Sequence, residues 1–146
     1  MPTGTQNTRP RVLLVDDGRE TVALLQQFLE EEGVQVVGVA ANGLEAIDVA
    51  ARVLPEVVLM DLRMPGLDGL EATRLIRHTY PWMRVIIMTS YYEFLPEGSP
   101  EEAGAFAYLV KGCSLELMKE VIHQASKDAL EDRWHLGSEQ QRGQAS

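Results

Sequence analysis

From Arg11 to about Leu130 the chain alternates short, continuously apolar runs with longer stretches that are apolar on one face only. Val12-Leu13-Leu14-Val15 is apolar at every position and ends in Asp16-Asp17, as a strand covered on both faces should read. Glu20 to Glu32 then places Val22, Leu25, Phe28 and Leu29 at helical spacing and closes at Gly33. Val34 to Ala40 is β-branched and apolar, a second strand. Asn42-Gly43 turns the chain into a helix carrying Leu44, Ile47, Val49 and Ala50, which stops before Pro55. Val57 to Met60 predicts the third strand, with Asp61 at its tip. Gly69 to His78, with Leu70, Thr73, Leu75 and Ile76, predicts a third helix ended by Pro81, and Arg84 to Met88 a fourth strand. Ala107 to Val110 is the fifth strand, and Ser114 caps a last helix built on Leu115, Met118, Val121, Ile122 and Ala125.

Strands alternating with helices across short loops imply an α/β, doubly wound parallel sheet with helices on both faces. In such sheets ligands sit beyond the carboxyl ends of the strands. Those ends carry Asp16 and Asp17, then Asp61, then Thr89 and Ser90, then Lys111.

Two stretches break the alternation. Where a fourth helix is due, Pro96, Gly98 and Pro100 interrupt helix propagation. The expected fourth helix is therefore short or irregular, about Glu101 to Phe106. The segment after Lys127 is polar and contains Gly137 and Gly143, so it is expected to fray. The expected organisation is a flexible segment at 1–10, one domain at 11–127, and a polar, partly disordered tail at 128–146.

Composition narrows the classes of function. The 146 residues suit one domain, and 45% apolar with 24% charged residues is the balance of a globular chain. A net charge of −9 argues against direct nucleic-acid binding, which needs a basic surface. The apolar runs are strand-sized, so no membrane span is expected, and Met1 to Pro10 lacks the apolar region of a secretory signal, so a cytoplasmic location is expected. Cys113 is the sole cysteine and cannot form an internal disulfide.

The chemistry lies in the carboxylates. Three of them, at Asp16, Asp17 and Asp61, converge where Lys111 is the cation the strand ends supply. Like charges raise one another's pKa, so the cluster makes sense with a divalent ion, and an all-oxygen site suits Mg²⁺, with Mn²⁺ as a substitute. Lys111 and the Thr89 hydroxyl offer a point charge and a hydrogen-bond donor to a phosphoryl group. Asp61, on the middle strand, is the candidate nucleophile.

These motifs resemble the receiver domains of two-component response regulators. The resemblance runs from about Arg11 to Ala125 and rests on Val15-Asp16-Asp17, Met60-Asp61 through Met64-Pro65-Gly66-Leu67-Asp68-Gly69, Met88-Thr89-Ser90, and Tyr108-Leu109-Val110-Lys111. It implies a flavodoxin-like, three-layer fold with five parallel strands in the order 2-1-3-4-5. It also implies that Asp61 accepts a phosphoryl group from a sensor histidine kinase or a phosphotransfer protein. By the same resemblance, Asp17, Asp61, the backbone carbonyl of Arg63 and, through water, Asp16 hold Mg²⁺. Lys111 grips the phosphoryl oxygens, while Thr89 and Tyr108 switch position.

The chain departs from the pattern in two places. Gly112 follows Lys111 where many receivers have proline, which is similar to receivers joined to helix-turn-helix domains. The prolines between Tyr92 and Glu101 alter the face through which such domains signal, so the region 91–127 is expected to meet a downstream partner or a second copy. Within it Tyr91, Tyr92, Phe94 and Leu95 either form an apolar patch or pack on the sheet's flank. Three other readings stand beside a signalling receiver. One is the receiver half of a longer DNA-binding regulator, and another is a receiver fold that no longer uses phosphorylation. The third is an aspartyl-phosphate phosphatase, disfavoured because Arg63 stands where its general acid belongs.

Overall fold

The computed structural model describes residues 9–64, 66–90 and 101–145, with side chains described as far as 136. The expectations for Tyr91, Tyr92, Phe94 and Leu95 fall outside the described residues. The elements are β1 (Arg11–Val15), α1 (Arg19–Glu31), β2 (Gln35–Ala40), α2 (Gly43–Val53), β3 (Val57–Asp61), α3 (Gly69–Thr79), β4 (Arg84–Thr89), β5 (Ala107–Val110) and α4 (Leu115–Ala145). The strands form one sheet in the order β2-β1-β3-β4-β5, every pair parallel, as expected.

The strands' alternation builds two cores. Leu13, Val15, Val58, Met60, Val85 and Ile87 point to the face covered by α2 and α3, where they meet Ala46, Val49, Ala50, Leu70 and Ile76. Val12, Leu14, Val57, Leu59, Ile86 and Met88 point to the opposite face and meet Val22 and Leu29 of α1 with Met118, Ile122 and Ala125 of α4. Because both faces are covered, β3 is buried at all five positions. Full burial there is what reads in the sequence as an unbroken apolar run.

Helix ends are satisfied by local side chains. Asn42 accepts from the Glu45 amide at 2.8 Å, Asp68 from the Glu71 amide at 2.9 Å, and Ser114 from the Leu117 amide at 3.0 Å. The guanidinium of Arg11 donates to the carbonyls of Leu54 and Val53, each at 2.8 Å, and so closes the last turn of α2.

Two expectations need correction. Residues Glu101 to Phe106 do not form a helix. Glu101 to Gly104 make a turn closed by a bond from the Gly104 amide to the Glu101 carbonyl at 3.0 Å. Gly104 has φ +95°, and Phe106 already donates to Val85 at 2.8 Å, so the chain has joined the sheet where a helix would continue.

The segment after Lys127 does not leave the helix either. Helix α4 runs 31 residues to Ala145, about 46 Å at the usual rise. Composition misled at the segment's near end because two of its acidic side chains have a partner on β4. Ala129 continues the buried stripe, and Arg84 pairs with Asp128 at 2.8 Å and Asp132 at 3.0 Å. Arg133 lies 4.2 Å over the Trp82 ring.

At the end of the sheet opposite the acidic loops, Glu56 is 4% exposed and accepts from the Arg11 amide at 3.0 Å and the Ser126 hydroxyl at 2.9 Å. This couples α4 to the start of β1 and β3. Ser126→Ala leaves the buried carboxylate short of a donor, so a loss of about 1–3 kcal/mol is expected. Urea unfolding should show a lower midpoint with an unchanged slope.

Candidate functional site

Asp61 is the last residue of β3 and is 4% exposed. The backbone ladder continues past the strand ends: Asp16 donates to Ala40 at 3.0 Å, Leu62 to Met88 at 2.9 Å and Lys111 to Thr89 at 2.7 Å. That continuation aims the loop side chains at one point. One carboxylate oxygen from each of Asp16, Asp17 and Asp61 lies within 4.8 Å of the others. Asp17 is exposed, Asp16 half-buried and Asp61 buried, so the cluster opens to solvent on one side.

Backbone amides hold two of the carboxylates. Gly18 donates to Asp16 Oδ1 at 2.8 Å and Arg63 to Asp61 Oδ1 at 3.3 Å. Lys111 Nζ lies 2.9 Å from Asp61 Oδ1. Its approach depends on a four-residue turn in which Cys113 donates to Val110 at 3.0 Å and Gly112 sits at φ +94°. A side chain at that φ would be strained, which accounts for glycine after the lysine.

Burial pushes the Asp61 carboxyl above its ordinary value, the Lys111 hydrogen bond and charge pull it back, and the Asp16 charge pushes it further up. For Lys111, burial works to lower the ammonium's pKa. The hydrogen bond and charge of Asp61, with Asp16 and Asp17 behind, outweigh burial and raise it.

The structure thus brings together Asp16, Asp17, Asp61 and Lys111 at the carboxyl ends of three strands. Thr89 ends β4, and its hydroxyl donates to the Ser90 carbonyl at 3.2 Å. Tyr108 lies on β5, 51% exposed. Arg63 contributes its amide to Asp61 and exposes its side chain. The donor set fits a hard divalent ion, because the three side chains brought together all offer carboxylate oxygens.

Sequence reasoning placed Gly69 at the start of the third helix but did not see its contact with the acid-bearing strand end. A Cβ there would lie 2.5 Å from the Asp61 carbonyl oxygen and 2.9 Å from Leu62 Cα, so only glycine lets α3 start this close to the acid-bearing loop. The glycine directly after the N-cap Asp68, a poor helix former in the first turn, was the available signal.

A doubly wound parallel sheet with an aspartate cluster and a lysine at its carboxyl ends defines a class of acidic-site α/β domains. Residues 12–123 match the family described as response regulator receiver domain, and the chain belongs to that family. It is 38% identical over 115 residues to the response regulator GacA of Pseudomonas aeruginosa, covering 78% of this chain and 54% of that protein. It is 37% identical over 118 residues to the transcriptional regulatory protein LiaR of Bacillus subtilis, covering 80% and 56%. The match therefore spans about half the length of these two relatives. Sporulation initiation phosphotransferase F of Bacillus subtilis is 33% identical over 112 residues, covering 77% of this chain and 90% of that protein. Among solved structures, the signal receiver domain of a modulated diguanylate cyclase from Desulfovibrio desulfuricans superposes with a TM-score of 0.76 at 32% identity, covering 85% of this chain and 99% of that one. No described helix is long and apolar enough to cross a membrane.

A raised carboxyl pKa means that the folded state holds the proton more tightly than the unfolded chain. Stability therefore falls as pH rises through the window above the ordinary value of 3.8. Asp61→Asn removes that penalty. In metal-free buffer at pH 7 it should raise the melting temperature. The gain should shrink as pH is lowered through the same window, which calorimetry at several pH values would show.

Proposed function

We propose that the chain is a phosphorylation-controlled signalling receiver. Asp61 accepts a phosphoryl group from the phosphohistidine of a sensor kinase or phosphotransfer protein, and the signal passes on through protein contacts. The observation that carries this reading is the buried Asp61 carboxylate, 2.9 Å from Lys111 and clustered with Asp16 and Asp17.

In the transfer, an Asp61 carboxylate oxygen attacks phosphorus, the P–N bond breaks, and the histidine nitrogen leaves with the bonding pair and takes up a proton. The product is an acyl phosphate. Lys111, already on Asp61, offsets charge on the phosphoryl oxygens. Thr89 exchanges its bond to the Ser90 carbonyl for one to a phosphoryl oxygen, and Tyr108 turns inward from its exposed position. Asp16, Asp17, Asp61 and the Arg63 carbonyl would hold Mg²⁺ or Mn²⁺, which supplies charge neutralisation at the transferring group. Water later cleaves the acyl phosphate, so the chain promotes its own phosphorylation and dephosphorylation without turning over an external substrate. Activity of this kind belongs in the cytoplasm, with no direct contact to nucleic acid by this chain.

The match to about half of GacA and of LiaR, the latter named a transcriptional regulatory protein, favours a second reading as the receiver part of a longer regulator. An in-frame helix-turn-helix beyond Ser146 would select it.

Incubation with acetyl phosphate and Mg²⁺, read by intact mass, tests the chemistry. The wild type should gain one phosphoryl group, Asp61→Asn none, and Lys111→Ala should react roughly 100-fold more slowly. No gain in the wild type would overturn the proposal in favour of a receiver fold that binds partners without phosphorylation.

A further inference from the structure

The loop that follows Asp61 is pinned at its far end by a glycine of a different helix. Gly43 is buried and opens α2. A Cβ built on it would lie 2.5 Å from the Leu67 carbonyl oxygen and 3.1 Å from Leu67 Cβ. Carbon and carbonyl oxygen normally approach no closer than about 3.3 Å. Any side chain at Gly43 would therefore drive the loop or the helix back by roughly 0.8 Å. The obstacle is main chain, which cannot rotate away as a side-chain tip could.

The turn that carries Gly43 is built to stay in place. Asn42 accepts from the Glu45 amide at 2.8 Å, and the Glu45 carboxylate reaches back to the Ala41 amide at 3.4 Å. One residue earlier, the Ala40 carbonyl accepts from the Asp16 amide at 3.0 Å. The segment 40–45 therefore touches both acid-bearing loops, one through a hydrogen bond and the other through a contact that only glycine permits.

We infer that the first turn of α2 is a brace between the two acid-bearing loops, with Gly43 a positioning residue that sets where Leu67 lies and, through it, where the amide of Arg63 meets Asp61. Gly43 touches none of the acidic side chains. It acts through Leu67, which fixes one end of the loop while Gly69 fixes it against Asp61 at the other. The effect on phosphoryl transfer rests on the function proposed above; the effect on loop geometry does not.

The test compares Gly43→Ala with Gly38→Ala. The second variant presses on the same helix, its Cβ 2.7 Å from Val49 Cγ1, but none of its close contacts is in the loop. Gly43→Ala should shift the amide resonances of Arg63 and Leu67 and slow phosphorylation by acetyl phosphate about 10- to 100-fold. Gly38→Ala should leave those resonances in place and the rate per folded molecule within about twofold. If Gly43→Ala fails to fold, Asn42→Ala loosens the same turn without adding an atom. It should move the same resonances and slow the reaction about fivefold. Unmoved resonances at Arg63 and Leu67, or equal slowing in Gly43→Ala and Gly38→Ala, would overturn the brace. A wild type that takes no phosphoryl group would overturn the proposed function, and the amide shifts would still decide the brace.

Discussion

Everything at the working end of this domain follows from holding the Asp61 carboxylate charged while it is almost wholly buried. Burial and the neighbouring Asp16 charge both disfavour that charge. One ammonium, on Lys111, opposes them, and it arrives from a strand two places away in the sheet. The strand order is therefore an electrostatic arrangement as well as a topology. It places the acids of β1 and β3 side by side, with the cation beyond β4, close enough to pair and far enough to leave the acids open to solvent.

The two ends of the sheet are organised by opposite logic. At the acidic end, charges of one sign crowd together and are left partly unsatisfied. At the other end the buried carboxylate of Glu56 is met by a backbone amide and a hydroxyl, and Arg84 is met by two aspartates of α4. The second end is quiet and holds the body together. The first crowds like charges together, and a cation can relieve that repulsion.

Most of this was legible in the sequence, because the strongest signals were periodic. Unbroken apolar runs gave the buried strands, and the acids and lysine at their ends gave the cluster. Helix faces were less exact: Leu44 looked like part of the buried stripe of α2, yet it is 69% exposed, and Ala46, Val49 and Ala50 do the packing. The region of 128–136 was misread because polarity says nothing about partners, and Asp128 and Asp132 find theirs on a strand some forty-five residues away. The contacts of Gly43 and Gly69 were invisible for a related reason. They are defined by the absence of an atom, and only the neighbouring backbone shows what that absence allows.

The position of Asp61 also decides which parts of the site can yield. β3 is paired along its length with β1 on one side and β4 on the other, and every residue of it is buried. β5, which bears Tyr108 and leads to Lys111, has four residues and, among the described residues, pairs with β4 alone. Pairing and burial thus thin out across the sheet from the middle strand to this border. Asp61 therefore stands on the most enclosed strand, Thr89 ends the strand beside it, and Tyr108 and Lys111 belong to the border.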